Sequence, residues 1–132
     1  MAIELNHTIV PAYDKELSAQ FFSAVFGLKY AGSTGHFAAV RVNETLTFYF
    51  DNVQSFERHH YAFLLGDREF EEILQRVKGR NLVYGSDPWH LDDKQLNQWN
   101  GGRGFYFRDV NGHLFELLTK KERNEVAIKE DT

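Results

Sequence analysis

The chain has 132 residues, of which 42% are hydrophobic and 15% aromatic, and it contains no cysteine. This length and composition predict one domain with a packed core and exclude a disordered chain. The lack of cysteine excludes disulfide bonds and chemistry by a thiol of the chain itself. A net charge of −4 argues against nucleic-acid binding, which normally needs a basic face. No apolar run approaches the roughly 20 residues that cross a bilayer, and no signal peptide is visible, so we expect a cytoplasmic protein without a membrane partner.

The first half of the sequence predicts a strand, a helix and a hairpin in that order. IELNHTIV is a strand candidate closed by Pro11. Asp14 is a candidate N-cap for a helix with apolar residues at helical spacing, and Gly27 marks the end of that helix. FAAVRV and LTFYF, joined at Asn43-Glu44, predict the hairpin.

The second half repeats this order. HHYAFLL predicts a strand, Asp67 is the candidate cap of a helix that ends at Gly79, and LVYGS predicts a short strand. RGFYFRD and HLFELLT predict a closing hairpin around Asn111-Gly112. The chain is therefore predicted to be α+β, with two strand–helix–three-strand modules at about 3–51 and 58–120. Neither module looks large enough to bury its sheet face alone, so we expect one domain over residues 1–120 and a charged tail over residues 121–132.

One segment has no counterpart in the first half. Residues 87–102 (DPWHLDDKQLNQWNGG) are polar and contain both tryptophans, Trp89 and Trp99. A loop of this length in a compact domain is usually functional or disordered.

Three side chains in predicted strands could together bind a metal. His7 and His60 occupy corresponding positions in the two halves, and Glu116 interrupts the apolar run LFELL, where an unpaired carboxylate would be costly. Two imidazoles and one carboxylate can hold a divalent ion and leave coordination positions open for substrate or water. The residues alone leave alternatives to a metal site, because a histidine in a strand is ordinarily a surface or core residue rather than a ligand. His59 also competes with His60, since adjacent strand residues point to opposite faces.

The segments LNHTIV, FFSAVFGLKY, HHYAFLL and FYFRDVNGHLFELLT occur in an order that resembles the vicinal oxygen chelate superfamily. This superfamily includes glyoxalase I, fosfomycin-resistance thiol transferases, extradiol dioxygenases and bleomycin-resistance proteins. The most specific mark is D-x-x-G-x-x-x-E at Asp109, Gly112 and Glu116. The resemblance implies an incomplete barrel built from two βαβββ modules and a homodimer in which the modules are sometimes swapped.

The resemblance also assigns site residues. It implies that His7, His60 and Glu116 bind one divalent ion (Fe, Mn, Zn, Ni or Co), with His60 preferred to His59 because it precedes Tyr-Ala-Phe. Tyr106 matches a site tyrosine of the fosfomycin-type transferases and extradiol dioxygenases, and we expect it to be catalytic.

The closing hairpin offers a physical check on Tyr106. A two-residue Asn111-Gly112 loop would place Phe107 opposite Glu116. A three-residue loop from Val110 to Gly112, with Gly112 in the left-handed region, would place Tyr106 there. The family match favours the second register.

Departures from the family pattern narrow the expected chemistry. Glyoxalase I uses a fourth, carboxylate ligand, and aligning the two halves places that position near Thr47, so glyoxalase I chemistry is disfavoured. Fosfomycin-type transferases carry a threonine where this chain has Ile9, and their cationic loop is matched only by Lys94 and Arg103.

We therefore expect a metal-dependent enzyme whose small substrate chelates the metal through oxygens. A fosfomycin-type thiol transfer or a dioxygenase-like reaction is preferred to glyoxalase I chemistry. Trp89, Trp99 and Arg103 are the predicted substrate contacts. The alternative is a metal-free binding protein of the bleomycin-resistance type that sequesters its ligand.

Overall fold

The computed structural model describes residues 2–33 and 35–120. Within these ranges, two α-helices and seven strands form two compact units, each with its own open sheet. The first unit contains the described residues up to His59 together with Asp109–His113, and the second contains His60–Arg108 and the residues from Leu114 onward. The mixed sheets and the two helices confirm the predicted α+β fold. No helix in the described ranges has both the length and the apolar character needed to cross a membrane.

The first unit has a three-stranded sheet covered by one helix. Its elements are β1 (His7–Ala12), α1 (Lys15–Phe26), β2 (Ala38–Arg41) and β3 (Thr47–Asn52). The strand order is β1-β3-β2, with β1 parallel and β2 antiparallel to β3. Two strands therefore follow the helix in the described part of this unit, one fewer than in the second unit.

Local sequence signals set the ends of β1 and α1. Asp14 caps α1 as predicted, because its carboxylate accepts hydrogen bonds from the backbone N–H groups of Glu16 and Leu17 at 3.0 and 3.2 Å. Gly27 ends α1 with φ = 72°, also as predicted. The prediction that Pro11 closes the first strand was wrong, because β1 continues to Ala12. Proline is tolerated there because β1 lies at a sheet edge, where one side needs no backbone donor.

The second unit has a four-stranded sheet and one helix. Its elements are β4 (His60–Leu64), α2 (Asp67–Gly79), β5 (Tyr84–Gly85), β6 (Gly104–Arg108) and β7 (Leu114–Leu118). The strand order is β4-β7-β6-β5, and β4 is parallel to β7. The predicted cap at Asp67 was wrong by one residue: Gly66 is the N-cap and makes no side-chain cap bond. Asp67 lies instead in the first turn, where its negative charge interacts favourably with the helix dipole.

The closing hairpin has the register that brings Tyr106 opposite Glu116. Gly112 takes φ = 86°, which is the left-handed conformation that the three-residue loop requires. The Asp109 carboxylate accepts hydrogen bonds from the backbone N–H groups of Asn111 and His113, both at 2.9 Å. These bonds explain the Asp and Gly of the D-x-x-G motif as the residues that hold the turn.

Phenylalanine rings form the core of each unit on the helix-covered side of its sheet. Phe22 of α1 lies 5.0 Å from Phe48 and 5.8 Å from Phe50, centroid to centroid. In the second unit, Phe70 of α2 lies 5.3 Å from Phe105. Because side chains alternate along a strand, the neighbours of these residues point to the opposite face of each sheet.

Candidate metal site

His60 and Glu116 meet on the face of the second sheet that lies opposite Phe115 and Leu117. In the parallel pair of β4 and β7, His60 lies beside Leu114, two residues before Glu116, so both candidate ligands share one face. Their side chains contact through His60 Nε2 and Glu116 Oε1, 3.1 Å apart. The His60 side chain is 49% exposed and that of Glu116 13% exposed, so the carboxylate is shielded while the imidazole stays accessible.

This pair fits a metal centre. Two ligand atoms bound at about 2.1 Å and at right angles around one ion lie roughly 3 Å apart, which is the separation of the two contacting atoms. No described residue donates a hydrogen bond to the second oxygen of Glu116. The pair therefore keeps donor capacity for a cation at a place where a carboxylate is largely removed from solvent.

Tyr106 lies beside this pair, as the hairpin register requires. Tyr106 is 4% exposed, and its ring centroid lies 6.1 Å from that of His60. The indole of Trp99 meets the Tyr106 ring edge-on at 6.0 Å. The long insert thus places one of its two tryptophans next to the candidate site.

His7 belongs to the first unit. Its Nδ1 lies 2.7 Å from Asn6 Oδ1, and no described residue bonds to its Nε2. An Nδ1–H donated to Asn6 would leave the Nε2 lone pair available, which is the usual arrangement of a metal-binding histidine. Sequence reasoning missed Asn6, although its place next to a candidate ligand was a signal.

The three predicted ligands are divided between the two units. Across residues 2–33 and 35–120, no three His, Asp or Glu side chains form a group that could hold a metal ion. His60 and Glu116 are paired, whereas His7 lies in the other unit, so its part in the site stays a prediction.

Strand register corrects the predicted counterpart of Glu116. Glu116 stands two residues beyond the partner of His60. In the first unit, His7 pairs with Thr47, and two residues beyond lies Tyr49. Tyr49 rather than Thr47 is therefore equivalent to Glu116. A carboxylate is missing at this position in either alignment.

The other two predicted substrate contacts, Trp89 and Arg103, contact residues other than Tyr106. Trp89 is 85% exposed in the turn from Asp87 to His90. The Arg103 guanidinium lies 3.0 Å from the Glu71 carboxylate and 4.6 Å above the Phe70 ring, so it packs on α2. The roles of Trp89 and Arg103 toward a substrate stay predictions.

The insert also contains a charged contact that sequence reasoning missed. His90 Nδ1 lies 2.9 Å from the nearer oxygen of the Asp87 carboxylate. The hydrogen bond and the negative charge of Asp87 raise the pKa of His90, and the same hydrogen bond lowers the pKa of Asp87. Their i, i+3 spacing in a turn was the available signal.

A scan against protein-family models finds no match, and a search of curated proteins finds none either. Solved structures do match. Oxidase ChaP-H1 shares 40% identity with this chain, with 91% of this chain and 98% of that chain covered and a TM-score of 0.84. Oxidase ChaP-H2 shares 38% identity, with 92% and 96% covered and a TM-score of 0.84. The fosfomycin resistance protein FosX from Mesorhizobium loti shares 22%, with 92% and 95% covered and a TM-score of 0.67.

The first two structures establish the family and the third is a likeness in fold. The chain belongs to the same family as the oxidases ChaP-H1 and ChaP-H2. Its fold is that of the vicinal oxygen chelate superfamily, as the order of its sequence motifs predicted.

Proposed function

We propose that this chain is a metal-dependent oxidase that acts on a small substrate bound to the metal through oxygens, with dioxygen as the electron acceptor. The observation that carries the proposal is the contact between His60 and Glu116 on an accessible sheet face. The reaction class, oxidation, is taken from two similar proteins of known structure, the oxidases ChaP-H1 and ChaP-H2. The ligand set implied by the superfamily resemblance is completed by His7.

A bound divalent ion would supply Lewis acidity toward the substrate oxygens and a centre for electron transfer. His60 and Glu116 would hold that ion, and the shielded Glu116 carboxylate would offset part of its positive charge. Nitrogen and oxygen ligands suit Fe, Mn, Zn, Ni or Co, and among these Fe and Mn suit oxidation by dioxygen.

Tyr106 and Trp99 would act on the substrate rather than on the ion. The Tyr106 side chain lies beside the pair, where its hydroxyl could bind a substrate oxygen or exchange a proton with it. Trp99 packs against Tyr106 and would help to exclude water from the site.

The test uses metal-free protein titrated with Fe(II) under anaerobic conditions. Nitric oxide is then added as a stand-in for dioxygen, and the spin signal of the ferrous nitrosyl species is measured by EPR. We expect one iron per chain and a strong signal in the wild type. Both are expected to be lost in His60→Ala, whereas the matched control His90→Ala should keep both. Wild-type protein that binds no stoichiometric metal would contradict the proposal and favour the ligand-sequestering alternative.

His7 requires its own experiment. We expect His7→Ala to lose most of its metal content when it is purified beside the wild type, because three ligands would fall to two. Full metal content in this variant would remove His7 from the ligand set. We also propose that the protein works as a cytoplasmic homodimer, which light scattering and cell fractionation would check.

A further inference from the structure

A groove in the second unit lies away from the candidate metal site. It encloses about 380 Å³ between the end of α2, the segment leading into β5 and the middle of the insert. A second cavity of about 270 Å³ adjoins it and shares its apolar residues Leu82 and Val83. Neither cavity is lined by His60, Tyr106 or Glu116.

The floor of this groove is apolar and open. Leu82, Val83 and Tyr84 line it, and Val83 is 64% exposed. Leu91 of the insert extends the apolar surface into the adjoining cavity. An apolar surface inside a concavity is typical of small-molecule sites, in which a few polar groups fix the orientation of the ligand.

The charged groups that line this groove carry a net positive charge. Lys78 from α2 and Lys94 from the insert face a single carboxylate from Asp92, and Asn81 adds an uncharged polar side chain. Neither ammonium group forms a hydrogen bond or ion pair with any residue in the described ranges. The chain as a whole carries a net charge of −4, so this is a local excess of positive charge in an acidic protein.

Lys94 is held in place by its backbone. Its φ is 57°, in the left-handed region that residues other than glycine rarely adopt. Its N–H donates a hydrogen bond to the carbonyl oxygen of Tyr84 at 3.1 Å, which ties the insert to β5. Such strained positions cluster at functional sites, and Lys94 is one of the residues that line the groove.

We propose that this groove binds a small organic anion. Its flat apolar body would lie on Leu82 and Val83, and its carboxylate or phosphate would pair with the ammonium groups of Lys78 and Lys94. The proposal does not depend on a bound metal, because no residue of the candidate metal site takes part.

The test uses 2-naphthoate as the probe and the uncharged 2-naphthylmethanol as its matched partner, with metal-free protein. Binding is followed by amide chemical shifts in NMR titrations. We expect naphthoate to shift the amides of Leu82, Val83, Tyr84 and Lys94 with saturation. Affinity for naphthoate should fall about 10-fold in the double variant Lys78→Met/Lys94→Met, because each exposed charge pair contributes a few-fold. Affinity for the alcohol should not change.

Lys29→Met is the matched control, because Lys29 is an exposed lysine of the first unit. A loss of naphthoate affinity in this variant equal to that in the double variant would reduce the effect to general charge attraction and overturn the proposal. Absence of saturable binding at millimolar naphthoate, or shifts centred on Tyr106, would also overturn it. Val83→Asp adds a second test, because a carboxylate on the floor should abolish naphthoate binding in protein that still unfolds at the wild-type temperature.

Discussion

The two units share one plan and differ in the chemistry of one sheet face. Each packs a helix against one face with phenylalanines, and each has a parallel strand pair that begins at a histidine. On the other face, His60 meets a carboxylate at 3.1 Å, whereas the ring of His7 meets that of Tyr49 at 5.2 Å. The repeated backbone therefore supplies one equivalent position in each unit. Tyr49 occupies it in the first unit and the Glu116 carboxylate occupies it in the second.

The segments that precede the hairpins differ as well. The first unit has residues 27–37 between α1 and β2, while the second has residues 86–103 between β5 and β6. The longer segment carries Trp99, which contacts Tyr106, and Lys94, which is tied to β5. Both additions of the second unit, the carboxylate and the insert, are concentrated where we propose ligands to bind.

The largest expected effect comes from removing the carboxylate that distinguishes the units. We expect Glu116→Gln to weaken Fe(II) or Zn(II) binding by about 100-fold or more, because a lost ligand should cost more than the 10–100-fold typical of a residue that only orients one. Tyr49→Phe, at the equivalent position, should change the affinity by less than about 3-fold. Isothermal titration of metal-free protein measures both affinities. A large loss of metal affinity in Tyr49→Phe would show that the equivalent position of the first unit also supports metal binding, which contradicts the proposed difference between the units.

The sequence predicted the helix ends that depend on local rules. Asp14 and Gly27 mark the ends of α1 because a capping carboxylate and a left-handed glycine are local requirements. These two features need no knowledge of distant residues. The register that pairs Tyr106 with Glu116 was favoured by the family match, and the left-handed Gly112 is the residue that this register requires.

Features that depend on tertiary pairing were missed. Tyr49 could not be recognised as the counterpart of Glu116, because the register of a parallel pair is set between segments about 40 residues apart. Pro11 was taken as a strand end because nothing in the local sequence shows that β1 is an edge strand. The contact of Arg103 with Glu71 on α2 was not predicted, because the two residues are 32 positions apart in the sequence.

An intermediate effect is expected where the two helices begin. Asp14→Ala should lower the free energy of unfolding by about 1 kcal/mol, because two backbone N–H groups of α1 lose their acceptor. Asp67→Ala should cost less than about 0.5 kcal/mol, since Asp67 makes no cap bond and is mostly exposed. Urea unfolding followed by circular dichroism measures both changes. Equal costs would show that the side-chain cap bonds of α1 do not distinguish the two helices.

The smallest expected effect concerns the Asp87–His90 contact in the insert, which the first unit lacks. Because the hydrogen bond and charge of Asp87 raise the pKa of His90, we expect its imidazole to titrate above the ordinary value of 6.5. Asp87→Asn should return the titration toward that value. The sign follows from linkage: the contact favours the folded turn fully below the unfolded pKa of histidine, and this contribution disappears as pH rises through the folded pKa.

Proton NMR of the His90 ring measures this titration, and 1 M salt provides a control. The His90 side chain is exposed and that of Asp87 is partly exposed, so salt should reduce the pKa shift of His90 in the wild type and have little effect in Asp87→Asn. If the wild-type His90 titration is the same as that of the variant, the turn is held without this charge pair. The backbone bonds of the turn, from Trp89 N–H to the Asp87 carboxylate and from His90 N–H to the Asp87 carbonyl, would then be sufficient to shape this part of the insert.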